Sequence, residues 1–186
     1  FNESLKMAYD FYLAHPDETL IVVTADHDTG GMTIGCQHGP KKIDYTLIDN
    51  IRCSKERFSS FCKSKAESGI TWEQMKSALV ENFGLYAGIS VDEKNDALLK
   101  ESFEKVYVKK DATMNETIYN SFNNFVEDVF YVLDKRIGFG WTTTYHTGNP
   151  VPLFAIGIGS EEFMRMYNNI EIPQTMAKLT GVKMNK

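Results

Sequence analysis

The chain has 186 residues, 42% of them hydrophobic, with 20 Lys and Arg against 25 Asp and Glu and a formal net charge of −5. It is long enough and apolar enough to bury a sizeable core. The acidic balance, with no basic stripe to offset it, argues against a nucleic-acid groove, and the apolar runs are too short to span a bilayer.

In chain order, Leu5, Ala8, Tyr9 and Tyr12 fall on one stripe of an opening helix that His15 and Pro16 end. His15 there would meet the helix's terminal carbonyls. After the Pro16-Asp17-Glu18 turn signal, Leu20-Ile21-Val22-Val23 reads as a short strand buried on both faces, as in a parallel sheet covered by helices. The run ends in Thr24-Ala25-Asp26-His27 and continues as the flexible turn Asp28-Thr29-Gly30-Gly31. Open α/β sheets bind ligands at the carboxyl ends of such strands. Asp26 and His27 put an oxygen and a nitrogen donor side by side at that end, a pair that suits a zinc-type ion. The plainer alternative is that Asp26 caps a turn and His27 is a surface residue.

Met32-Thr33-Ile34 reads as a strand, and His38 lies in the solvent-exposed loop from Gly35 to Pro40. Residues 40–138 have a mostly helical pattern. Thr71-Trp72-Glu73-Gln74 is a capping box, with Trp72, Met75, Leu79, Val80 and Phe83 at helical spacing up to Gly84. Asp92 caps a further helix whose apolar side is Leu98, Leu99, Phe103, Val106 and Tyr107. Thr113-Met114-Asn115-Glu116 has the form of a second capping box. It is expected to open a helix carrying Ile118, Tyr119, Phe122, Phe125, Val126, Val129, Phe130 and Leu133, with Lys135 and Arg136 suiting its dipole and Gly138 and Gly140 stopping it. Aromatic residues at helical spacing are ordinarily core, so this stripe is read as a packing face. Cys36, Cys53 and Cys62 give an odd count and no C-x-x-C spacing. Cys53 and Cys62 could pair locally in an exported protein, or all three could be free thiols. Serines 54, 59, 60, 64, 68 and 77 lie in polar or amphipathic helical sequence and read as surface residues.

Tyr145-His146-Thr147-Gly148-Asn149-Pro150-Val151-Pro152 leads into a second strand-length apolar run, Leu153 to Gly159. His146 thus stands just before a strand, in a loop fixed by Gly148, Pro150 and Pro152. Ser160 with Glu161 and Glu162 reads as the N-cap and acidic first turn of a helix. Asn168 to Ile172 with Pro173 reads as a turn into a final helix ending near Gly181.

Taken together, Thr24-Ala25-Asp26-His27 and His146-Thr147-Gly148-Asn149-Pro150-Val151-Pro152 resemble the T-A-D-H and H-T-G-x-P-V-P segments of the alkaline phosphatase family. Asp28-Thr29-Gly30-Gly31 looks like the continuation found in many bacterial members. The resemblance is concentrated in residues 1–36 and 141–183. It implies an α/β fold, part of a doubly wound, mainly parallel sheet sandwiched by helices, with residues 1–186 as the carboxyl-terminal portion of one domain; from their position between the two segments alone, residues 40–138 are expected to be a helical insertion that packs as a cap beside the metal centre. It implies that Asp26 and His27 bind the zinc that holds a nucleophilic serine, and that His146 binds a second zinc that activates water. Two such ions can clamp both oxygens of an in-line displacement. The substrate would be a phosphate monoester, with magnesium in the full-length enzyme, a periplasmic or secreted location and a possible homodimer.

The departures from the family pattern carry expectations of their own. No Asp-Ser pair of the family's nucleophile motif occurs in the sequence, so the phosphoserine intermediate would form on a serine outside this chain. Three matched ligands over two ions leave each short of the usual three or four. The chain is therefore expected to be the carboxyl-terminal part of a longer enzyme and inactive alone. The alternatives are a metal-dependent phosphomutase of the same superfamily, or a non-catalytic binding module on the same scaffold.

Overall fold

In a computed structural model, which describes residues 1–37, 39–116 and 121–184, caps and aliphatic runs set most of the element boundaries. In chain order these are α1 (Asn2–Ala14), β1 (Leu20–Thr24), β2 (Thr33–Ile34), α2 (Lys55–Ser68), α3 (Trp72–Phe83), α4 (Glu93–Phe103), β3 (Met114–Glu116), β4 (Ser121–Asn123), α5 (Asn124–Ile137), β5 (Phe139–Gly140), β6 (Leu153–Gly157) and α6 (Glu171–Thr180). They fall into two compact units, residues 1–28 with 147–186 and residues 29–146. No helix among the described residues is long and apolar enough to cross a membrane.

The first unit is built on β1 and β6. These strands pair antiparallel, with Val22 opposite Ala155 and Thr24 opposite Leu153. Parallel, doubly buried strands were the expectation for this run. Instead Leu20 to Val23 are half-buried, and on β6 the residues Leu153, Ala155 and Gly157 are half-buried while Phe154 and Ile156 are exposed. The aliphatic run therefore reflects a sheet with one helix, α1, against β1, and not a strand covered on both sides. Gly159 and Phe163 are the buried residues of this unit among those described. His15 ends α1 and meets its terminal carbonyls through the backbone, its N–H donating to Phe11 at 3.0 Å and Tyr12 at 3.1 Å, while its ring meets the Phe11 ring at 4.6 Å and the Glu18 carboxylate at 3.5 Å. Ser160 begins a 3-10 turn, Ser160–Phe163, with Gly159 at the cap position and no side-chain cap bond, so its expected capping role is not realised. The final helix, α6, ends at Gly181 as its sequence suggests.

The second unit holds the main core. Thr71 and Gln74 exchange both bonds of the expected capping box at the start of α3, and Asp92 accepts from the Asn95 N–H at the start of α4. Phe58, Met75, Leu79, Phe83, Leu99, Phe125, Val126, Val129 and Leu133 are all fully buried, and Phe58 meets Phe83 edge-to-face at 4.9 Å. The aromatic stripe is thus a packing face. Each such side chain removed from water contributes roughly 1.5–3 kcal/mol.

The largest departure from the sequence reading lies at α5. The helix begins at Asn124, not beside Thr113, because Asn123 caps it by accepting from the Val126 N–H. Residues 114–116 instead form β3, paired antiparallel with β4. Phe122 sits on β4, and Ile118 and Tyr119 lie outside the described residues, as does His38. Gly138, left-handed at φ 99°, stops the helix as expected. Cys36, Cys53 and Cys62 are all free thiols, so the local Cys53–Cys62 pairing is not formed. Cys53 precedes the cap of α2 whereas Cys62 lies in its third turn, a span that helical rise keeps open. Burial pushes the Cys62 thiol up to about 12, which leaves it unreactive at neutral pH.

Candidate metal site

Antiparallel pairing decides where the two sequence segments go. It sets the end of β1 beside the start of β6, so the residues leaving one strand face those arriving at the other. Thr24, the last residue of β1, donates its hydroxyl to the Pro152 carbonyl at 3.1 Å. Four residues past Thr24 the link repeats, with the Thr147 hydroxyl donating to the Asp28 carboxylate. The segments 24–28 and 147–152 are therefore fastened together at two points within the first unit.

Asp26 and His27 lie in the turn just past β1. The His27 backbone N–H donates to Asp26 Oδ1 at 3.0 Å, which fixes that carboxylate against its own chain. On the other side, His27 Nδ1 lies 2.9 Å from the Asp28 carbonyl. A carbonyl only accepts, so Nδ1 carries the proton, and in the neutral ring Nε2 presents its lone pair. Nε2 stands 3.3 Å from Asp26 Oδ2. Two ligand atoms at zinc-like distances on a tetrahedral ion would stand about 3.3 Å apart. An Nδ1 proton on a backbone carbonyl is also the usual way a ligating histidine is oriented. The pair therefore fits as two ligands of one zinc. The Asp26 side chain is 86% exposed and that of His27 32%, so the pair is open on the carboxylate side.

The donor set stops at two. Among the described residues no group of three or more His, Cys, Asp or Glu side chains could hold a metal ion. His146, the last residue of the second unit, is half-buried and follows Tyr145, whose carbonyl accepts from the Gly30 N–H at 3.0 Å. The sequence segments named Asp28 and Thr147 without giving either a role, and the bond between them is what the structure adds. Trp141 and Asp134 were not singled out at all. Burial lifts the Asp134 carboxyl to about 6, while hydrogen bonding from the Trp141 indole and the charge of Lys55 pull the other way. Neither residue has a spacing that would have flagged it.

The alkaline phosphatase family model matches residues 1–182. The chain is 32% identical over 179 residues to alkaline phosphatase 3 of Bacillus subtilis (strain 168), a match that covers 96% of this chain and 33% of that protein. It is 29% identical over 180 residues to alkaline phosphatase 4 of the same organism, with 96% and 33% covered. Among solved structures, a cold-active alkaline phosphatase from a psychrophilic Shewanella species superposes with a TM-score of 0.67 at 25% identity, covering 94% of this chain and 37% of that one. The chain thus spans a third of the length of the curated relatives it matches. The fold is that of the phosphatases, although the strand pairs described in this portion run antiparallel. Residues 1–182 carry the family match across both units, and the chain belongs to the alkaline phosphatase family.

Proposed function

We propose that this chain supplies part of a two-zinc phosphomonoesterase site, with Asp26 and His27 as ligands of one zinc and His146 as a ligand of the other. The observation that carries the reading is the 3.3 Å separation of Asp26 Oδ2 and His27 Nε2, in a turn fastened to the second motif through Asp28 and Thr147. Zinc bound there would supply the positive charge that stabilises a transferring phosphoryl group. The chain's own residues do the positioning. The Asp28 carbonyl keeps the His27 proton on Nδ1 and so leaves Nε2 for the metal. The His27 N–H holds one carboxylate oxygen of Asp26 and leaves the other for the same ion. The Thr147 hydroxyl, by occupying the Asp28 carboxylate, keeps that side chain tied to the second motif.

The remaining ligands, the magnesium site and the nucleophilic serine belong in this reading to other segments of a longer enzyme, since the sequence offers no Asp-Ser pair. The substrate is a phosphate monoester, hydrolysed through a phosphoserine, and the enzyme is exported. The chain alone is inactive. Against the phosphomutase alternative stands the family match, which is to phosphatases. The test is a zinc titration of the full-length enzyme with hydrolysis of p-nitrophenyl phosphate followed in parallel. His27→Ala should weaken zinc binding at least about tenfold and lower hydrolysis with it. Zinc binding and hydrolysis unaffected by His27→Ala would refute the assignment, and a protein that ignores zinc altogether would favour the non-catalytic module.

A further inference from the structure

Gly30 is three residues beyond His27, and both of its backbone groups are spent on one neighbouring segment. Its N–H donates to the Tyr145 carbonyl at 3.0 Å, and its carbonyl accepts from the N–H groups of Thr142 at 2.8 Å and Thr143 at 3.2 Å. The Thr142 hydroxyl adds a longer bond to the Gly31 carbonyl at 3.4 Å. Gly30 and Gly31 are buried, though the stretch around them is polar and largely open. What covers Gly30 is Trp141. A Cβ at position 30 would lie 3.0 Å from the indole ring and 2.7 Å from the Thr143 carbonyl, and Gly30 holds φ 69°, so no side chain fits there without displacing both.

Trp141 has no place in the main core. It is 48% exposed and stands outside the cluster that packs α2 to α5. About half of the ring is withdrawn from water, and the covered part lies against Gly30. The Asp134 carboxyl, in the last turn of α5, is close enough for the indole to lower it against the upward push of burial. The ring therefore stands between the end of α5 and the Gly30 turn.

We infer that Trp141 is a positioning residue for His146: with Gly30 it closes a clasp that fixes the backbone leading into that residue. This rests on the reading of His146 as a zinc ligand. Metal sites lose affinity steeply when the groups behind the ligands are loosened, because the donor atoms must be kept within about 0.5 Å of their working positions. The clasp provides this within the second unit, since it ties residues 142–145, which lead into His146, to Gly30 and Gly31 by four backbone-directed bonds and one covering ring. No side chain in it needs to touch metal or substrate.

The experiment uses the full-length enzyme loaded with zinc and follows metal loss to a colorimetric chelator, alongside thermal melting of the zinc-free protein. Trp141→Ala should shed zinc on the order of tenfold faster. Its metal-free melting temperature should stay close to that of the parent, because the ring lies outside the core. Trp141→Phe, which keeps an aromatic cover over Gly30, should restore retention to within about threefold. Gly30→Ala, which pushes the clasp open from the other side, should also shed zinc faster, and it decides the matter if Trp141→Ala folds poorly. Zinc loss at the parental rate in Trp141→Ala, or in Gly30→Ala where that variant must decide, overturns the clasp while leaving the ligand assignment standing. A parent enzyme that holds no zinc overturns the ligand assignment itself.

Discussion

At the scale of single residues, the group whose environment departs most usefully from water is Asp134. Burial raises its carboxyl from 3.8 to about 6, outweighing the Trp141 hydrogen bond and the Lys55 charge, which lower it. The sign of the consequence follows from linkage. In the unfolded chain the group ionises near pH 4, whereas in the folded chain it resists ionisation until about pH 6. Its contribution to stability is therefore fully present below about pH 4 and is lost as the pH rises through about 6. Asp134→Asn removes the charge while keeping an oxygen that can accept from the indole. It should leave the urea midpoint nearly unchanged at pH 4 and raise stability at pH 8 by about 1–2 kcal/mol, after allowing for partial solvent screening. Equal shifts at both pH values would show that packing, not ionisation, governs this site.

At the scale of elements, two rival helix starts in one stretch of sequence make a clean comparison. Thr113 begins a segment of capping-box form, but its backbone is used otherwise, exchanging bonds with Asn124 at 3.2 and 3.0 Å. Asn123 is the working cap, buried and accepting from Val126 at 3.0 Å. Asn123→Ala should cost about 1–2 kcal/mol in chemical denaturation, and Thr113→Ala well under 0.5 kcal/mol. A larger loss at Thr113 would mean the helix starts where the sequence pattern first suggests. Why the pattern misleads is physical. Phe122 and Phe125 fit the helical stripe and are buried either way, so periodicity alone cannot tell a residue on β4 from one on the first turn of α5. The caps at Thr71 and Asp92 were legible because nothing competed for them. The strand over Leu20–Thr24 was legible as a strand from its aliphatic run, yet its partner and direction were not, since pairing depends on β6, more than a hundred residues away. At the site the same division holds. Asp26 and His27 could be chosen from donor type and position at a strand end. The Asp28–Thr147 bond and the Trp141 cover over Gly30 join residues distant in sequence and left no local trace, and no spacing marks Asp134 and Trp141 as neighbours.

At the scale of the molecule, burial is divided unevenly between the two units, and this has a measurable consequence. Among the described residues the large fully buried side chains all belong to residues 29–146, where α3 and α5 carry Met75, Leu79, Phe83, Phe125, Val129 and Leu133 at zero to 1% exposure. In the other unit α1 has no buried residue, and Leu5, Tyr9, Phe154 and Ile156 line an apolar groove between α1 and the β1–β6 pair that stays in contact with solvent. Local opening costs little where few apolar contacts are lost, and approaches the full unfolding free energy where a core must be breached. Amide hydrogen exchange on this 186-residue chain should therefore separate the units. Amides in the middle of α3 and α5 should exchange at least about a hundredfold more slowly than those in the middle of α1 and α6, a gap of roughly 3 kcal/mol in opening free energy. Both sets are helical, so intrinsic hydrogen bonding is matched and the difference isolates packing. Adding zinc should protect β1 amides more than those of α3, because the proposed ligands Asp26 and His27 follow β1 directly. If α1 and α5 exchanged at equal rates, the stability of the first unit would have to come from something other than the side chains it buries.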